Sequence, residues 1–188
     1  KTGLSAQAVT VIINSLEAES LLIRKEPQRG RVGQPTIPFA LNPDGAFGIG
    51  LKVGRRSYDL TLIDLVGNIR ATLNEYCAYP TVNSLLTFLE KGISVLKMSL
   101  SDELAERILG IGVATPFEIW NWTEEAGAPK KVMNEWKSFD FKQRINQIIS
   151  LPVYVCNDDT AACSAELSFG NPARFTDFLY IFIGTFIG

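Results

Sequence analysis

Histidine is absent from all 188 residues, and cysteine occurs only three times, at Cys77, Cys156 and Cys163. That odd, scattered set in apolar or small-residue contexts supports neither a disulfide framework nor a CxxC metal site, so buried thiols are expected. No uninterrupted apolar run approaches the roughly 18 residues of a membrane span. The N-terminus also lacks a charged segment leading into an apolar stretch and cleavage site. No membrane role is expected, and cytoplasmic residence is the default. There is little net charge: −2, with 20% charged and 46% hydrophobic residues, describes an ordered globular chain with one full core and a small module. Both ends nonetheless read as cut. Lys1-Thr2-Gly3 resembles a helix-to-helix turn without its first helix, and FLYIFIGTFIG resembles a strand and turn with nothing following.

The charge that is present is unevenly placed. Residues 1–43 carry five cations against three acids, a local +2, which leaves −4 on residues 44–188. Four of the five cations, Arg24, Lys25, Arg29 and Arg31, fall together, opposed only by Glu26. Just before them, Ser5 is placed to cap a helix in which Val9, Ile12, Ile13 and Leu16 recur on one face. Ala6, Gln7, Thr10 and Asn14 are left outward, with no acid until Glu17. Such a face can enter a major groove without repelling phosphate, and Gln can bond adenine bidentately. Leu21 to Lys25 reads as a short strand, PQRGRVGQP as a basic turn-rich tip and TIPFALN as a returning strand. Together they make the wing of a winged helix-turn-helix.

In that reading Ser5, Gln7, Thr10 and Asn14 serve the recognition helix, while Arg24, Lys25, Arg29 and Arg31 contact phosphates or a narrow A·T-rich minor groove. An amphipathic helix docked on its own body beside a solvated loop is the plainer alternative.

After Asn42-Pro43-Asp44-Gly45 the pattern changes to strands. Ile49, Leu51 and Val53 alternate, then Tyr58, Leu60 and Leu62, and a turn at Asp64 to Asn68 leads into Ile69 to Leu73. Helical spacing marks residues 82–98, ILGIGVA reads as a buried strand, FKQRINQIIS as helix and LPVYVC as a second buried strand. Asp158 to Phe169 reads as a helix and FLYIFIG as one more strand. Strands alternating with helices imply an α/β sheet with a parallel part. Two units follow: residues 1–43, a partial winged helix-turn-helix, and residues 44–188, an α/β body.

Ligands of such sheets bind beyond the carboxyl ends of strands, which marks Gly112 to Pro116, Asn157-Asp158 and Gly184-Thr185. An Asp there can act as a general base or hold a polyol hydroxyl, and the adjacent Asn both donates and accepts. Either residue can equally be a helix cap. The hairpin GIGLKVGRRSYDLTLIDLVGNI looks like a phosphate-binding turn carrying the wrong charges at Gly54-Arg55-Arg56.

The ordered set of features resembles the DNA-binding branch of the ROK family of repressors, open reading frames and sugar kinases. These are the winged head with its Arg-Gly-Arg tip, the meander with GLKVG, GIGVATP, Trp136, LPVYVCNDDTAACSAELSFG and FLYIFIGTFIG. The resemblance covers nearly the whole sequence but only the first part of a typical member. It implies two actin-like lobes around a cleft, of which this chain holds the first and the start of the second. In the family's kinases the Asp of an Asn-Asp-Ala-Asn stretch takes the proton from the attacking sugar hydroxyl, and Asp158, preceded by Asn157, corresponds to it.

The departures bear on activity. The kinases carry Asp-x-Gly-Gly-Thr where this chain has Lys52-Val53-Gly54-Arg55-Arg56, so a carboxylate and a permissive glycine are lost. Their Gly-Thr-Gly turn corresponds to Gly184-Thr185-Phe186, where a ring hinders approach to phosphate. The family's zinc ligands, a His and several Cys, would lie beyond Gly188, so no metal or other cofactor is expected on these residues. The expectation is therefore a sugar-responsive repressor with no catalytic residue. It would bind a double-stranded DNA operator as a homodimer and sense a sugar or sugar phosphate through Asn157 and Asp158. An active ATP-dependent sugar kinase with an appended DNA-binding head is the alternative.

Overall fold

The computed structural model describes residues 3–28, 36–170 and 175–183. Its first element, α1 (Ala6–Ala18), begins where Ser5 accepts a hydrogen bond from the Ala8 N–H at 3.2 Å. Val9, Ile13 and Leu16 are half-buried, but Ile12 is 45% exposed and α1 buries no residue fully. The expected apolar face is thus narrower by one residue. Beyond α1, β1 (Leu22–Arg24) and β2 (Phe39–Leu41) pair antiparallel, extended by a bridge between Gln28 and Thr36.

A 3-10 turn over Pro43–Gly45 leads into the body. There β3 (Phe47–Val53), β4 (Ser57–Asp64) and β5 (Ile69–Tyr76) form the expected meander, and period-two alternation places Ile49, Leu51, Val53, Leu60 and Leu62 on one face. α2 (Val82–Met98) covers that face with Leu85, Phe88, Leu89, Ile93 and Leu96. Thr81 caps it, and each fully buried leucine contributes about 1.5–3 kcal/mol. The approach is close at Gly92, where a Cβ would stand 2.7 Å from Leu60 Cδ2.

A short α3 (Asp102–Ala105) precedes β6 (Ile108–Thr115), which pairs parallel with β3. The crossover from β6 holds α4 (Thr123–Ala126), α5 (Lys130–Asn134) and α6 (Phe141–Asn146). Buried Trp136 anchors it, donating from Nε1 to the Pro80 carbonyl and packing against Phe139 and Phe141. β7 (Val153–Asn157) returns parallel to β6, giving the order β5-β4-β3-β6-β7, and α7 (Asp158–Ala165) follows directly.

Three expectations are corrected. β7 is an edge strand in which only Val153 is buried and Tyr154 is 70% exposed, because an apolar run cannot distinguish an edge from a centre. Among the described residues, 178–183 form no strand beyond a single bridge position at Ile183, because an apolar run by itself does not fix strand pairing. Cys156 is exposed, as its place on β7 dictates, while Cys77 and Cys163 are half-buried. Among the described residues no helix is long and apolar enough to cross a membrane.

Candidate functional site

Parallel pairing brings the expected strand ends to one edge of the body. Lys52 on β3 is in register with Ala114 on β6, which is in register with Cys156 on β7; one step further Thr115 faces Asn157. At about 4.8 Å between strands, the hairpin and the Asn157 strand end lie about 10 Å apart. Lys52, Ala114 and Cys156 border a cavity of about 660 Å³ on the sheet face opposite α2, floored by Gly50 and Gly112 and edged by Asp59; Thr115 and Asn157 lie one step beyond its lining.

Asn157 is a helix cap in this structure. Its Oδ1 accepts from the Asp159 and Thr160 N–H groups at 3.1 and 3.3 Å, and its Nδ2 donates to Asp158 Oδ1 at 3.0 Å. The cap orients the amide, and Asp158 Oδ2 has no described hydrogen bond. Burial, and then the Asp158 charge, push the Asp159 carboxyl above its ordinary range. Opposite Asn157, Thr115 Oγ1 is buried without a partner among the described residues. The marked stretch Gly112 to Pro116 contains this hydroxyl, yet nothing in its spacing singles Thr115 out from its neighbours.

At the hairpin, Gly54 donates its N–H to the Ser57 carbonyl at 2.8 Å, which closes the turn. Lys52 Nζ lies 4.0 Å from Asp59 Oδ2, its register partner on β4, and Asp59 also accepts from Asn74 Nδ2. The Lys52 cation therefore already faces a carboxylate. Arg55 stacks over Trp122, 5.7 Å from the ring centroid, tying the tip to the segment after β6. Arg56 accepts the Cys77 N–H on its carbonyl. Gly184 and Thr185 lie outside the described residues.

The head residues form a separate group. Gln7 and Asn14 are exposed on α1; Ser5 is engaged as the cap, and Thr10 Oγ1 donates to the Ala6 carbonyl at 2.9 Å. Arg24 grips Glu17 with both Nε and Nη2, at 2.6 and 2.8 Å, and stands over the Phe39 ring. The Arg24 hydrogen bond holds the Glu17 carboxyl below its ordinary range. Lys25 is exposed, with its N–H donating to the Pro38 carbonyl; Arg29 and Arg31 lie outside the described residues. Among the described residues no three His, Cys, Asp or Glu side chains converge as a metal site would require.

A mixed sheet of this order, with a helix opening directly from an Asn-Asp strand end, is the lobe architecture of the sugar-kinase type. Residues 48–188 match the ROK family, and the chain belongs to it. A xylose repressor of Bacillus subtilis is 24% identical over 193 aligned positions, spanning 100% of this chain and 48% of the repressor. A solved ROK family transcriptional regulator, a homologue of the E. coli MLC protein, superposes with a TM-score of 0.55 at 20% identity over 87% of this chain and 41% of its own. A ROK family glucokinase from Streptomyces griseus, solved with glucose and AMPPNP, gives a TM-score of 0.50 at 19% identity, covering 66% of this chain and 37% of the enzyme. The chain spans about half the length of the curated relatives it matches.

Proposed function

We propose that the protein is a sugar-responsive transcriptional repressor in which residues 1–43 bind operator DNA and residues 44–188 belong to a kinase-derived sensor. The observation that carries this reading is the head itself. A capped helix presenting Gln7 and Asn14, followed by an antiparallel strand pair joined by a basic sequence, stands ahead of the family domain. It resembles a winged helix-turn-helix, and the repressor relative aligns along the whole chain, head included. DNA binding then requires Arg24 to exchange Glu17 for phosphate, while Lys25, Arg29 and Arg31 supply further cations.

The body's departures support sensing over catalysis. Lys52 stands where the kinases place a carboxylate, and Asp59 beside it is held by Lys52 and Asn74. Asn157 and Asp158, kept at the strand end, hold sugar hydroxyls, and the sugar acts by favouring one body arrangement over another. The protein works as a homodimer whose two heads read a palindromic site.

Binding of a labelled operator to the full-length protein at rising salt tests this. Affinity should fall steeply with salt, and Arg29→Ala or Arg31→Ala should weaken binding and flatten the slope by about one unit each. Salt-insensitive or absent binding contradicts the proposal. A second reading, an active kinase, is favoured by the retained Asp158; ATP-dependent phosphorylation of a sugar panel led by xylose, abolished in Asp158→Asn, would establish it instead.

A further inference from the structure

One charged side chain is buried among the described residues: Asp64, at the end of β4, with its side chain 1% exposed. The turn that follows accounts for part of its bonding. Asp64 Oδ1 accepts from the Val66 and Asn68 N–H groups at 3.1 and 2.9 Å, and Oδ2 accepts from Asn68 Nδ2 at 3.1 Å. Oδ2 also lies 3.5 Å from Arg70 Nη1, and the same nitrogen reaches Asp44 Oδ1 at 2.6 Å. The Arg70 guanidinium is further fixed over the buried Phe47 ring, 5.5 Å from its centroid.

Asp44 lies in the Pro43–Gly45 turn between head and body, and a second arginine holds it there. Arg107 Nη1 donates to the Asp44 carbonyl at 3.1 Å, while its Nη2 pairs with Glu103 at 2.7 Å. Leu65 donates its N–H to the Pro43 carbonyl at 3.3 Å. The other side of the turn clasps the head: the Asn42 N–H donates to the Leu21 carbonyl at 2.9 Å, and Asn42 Nδ2 to the Ser20 carbonyl at 2.7 Å. A Cβ at Gly45 would come within 2.8 Å of the Ser20 oxygen, so only glycine allows this approach. No side chain of α1, β1 or β2 is fully buried, so directional polar contacts fix the head here.

We propose that the Asp44 turn is the joint that sets the head's orientation on the body, with Arg70 and Arg107 as positioning residues for DNA binding. The DNA part of this statement rests on the repressor reading. β3 and β6 both start at the joint, where Phe47 donates its N–H to the Arg107 carbonyl at 2.9 Å, and both run to the Lys52–Ala114 end. Seven strand residues place the joint about 20 Å from the candidate sugar site. A sugar-dependent shift between these strands reaches the head through this turn, because β3 continues directly from it and Arg107, one residue before β6, holds the Asp44 carbonyl.

Hydrogen exchange on the full-length protein, paired with operator affinity, tests the joint. In Arg70→Gln the Asn42 and Leu65 amides should exchange about tenfold faster, with α2 amides unchanged and Arg70→Lys largely restoring protection. Operator affinity should fall about fivefold or more with an unchanged salt slope, because no phosphate contact is removed. Asp44→Asn, which leaves the Arg70–Asp64 contact in place, should reproduce both effects and serves if Arg70→Gln does not fold. Unchanged exchange at Asn42 and Leu65, or equal acceleration in α2, overturns the joint. If wild-type protein binds no DNA, the repressor reading fails while the exchange result still decides whether the turn holds the head.

Discussion

The body's hydrophobic core lies wholly between Phe47 and Val153, while the head's α1 contributes no fully buried side chain. Apolar burial is non-directional and grows with area, so the body is held by many replaceable contacts. The head is held by a few polar ones, at Asp44 and Asn42, and by the close approach that Gly45 permits, whose geometry matters individually. A part fixed in this way can be re-aimed at small cost, whereas the sheet beneath it moves only as a unit. That difference is what the proposed division between a sensing body and a DNA-reading head requires.

Substitutions should break the two parts in different ways. Leu89→Ala, at a site on α2 with no exposure, should remove about 2–5 kcal/mol of stability and lower the urea midpoint for the whole domain. Tyr58→Phe should cost less, about 1–2 kcal/mol, because it strands the Thr81 N–H that now donates to Tyr58 Oη at 2.9 Å.

The same tyrosine has a pH signature. Burial, the largest cause, pushes its phenol up to about 12, against the hydrogen bonds from Ser84 and Thr81. The unfolded chain ionises nearer 10, so this group's contribution is fully present below about pH 10 and is lost as the pH rises towards about 12. Stability measured between pH 9 and 12 should therefore fall more steeply in wild type than in Tyr58→Phe. In the head, Ser5→Ala should cost about 0.5–2 kcal/mol of local helix stability. It should speed exchange at Ala8 while leaving the body's midpoint unchanged; a lowered global midpoint would mean that head and body fold as one.

How much of this was legible follows from the kind of contact involved. The β3–β4–β5 meander and α2 were readable because their apolar residues recur at periods of two and of three to four. The edge position of β7 was not, since LPVYVC looks the same at the centre of a sheet as at its rim, and Cys156 was misjudged with it. Asn157 was readable as cap or ligand, and the cap is what the structure displays. The Asp44–Arg70 contact joins residues 26 apart with no periodicity between them, and the Lys52–Asp59 pair needed the hairpin register before it could be recognised. Patterning reveals elements, but long-range polar pairs emerge only once the register is known.

The central claim is that the body's strand-end site governs a head it does not touch. A sugar titration of operator-bound full-length protein, wild type against Asp158→Asn, tests this most directly. The account predicts that sugar changes wild-type operator affinity about tenfold or more, and that Asp158→Asn binds the operator equally well but no longer responds. An operator affinity that sugar leaves unchanged in wild type, or that Asp158→Asn itself abolishes, would contradict it.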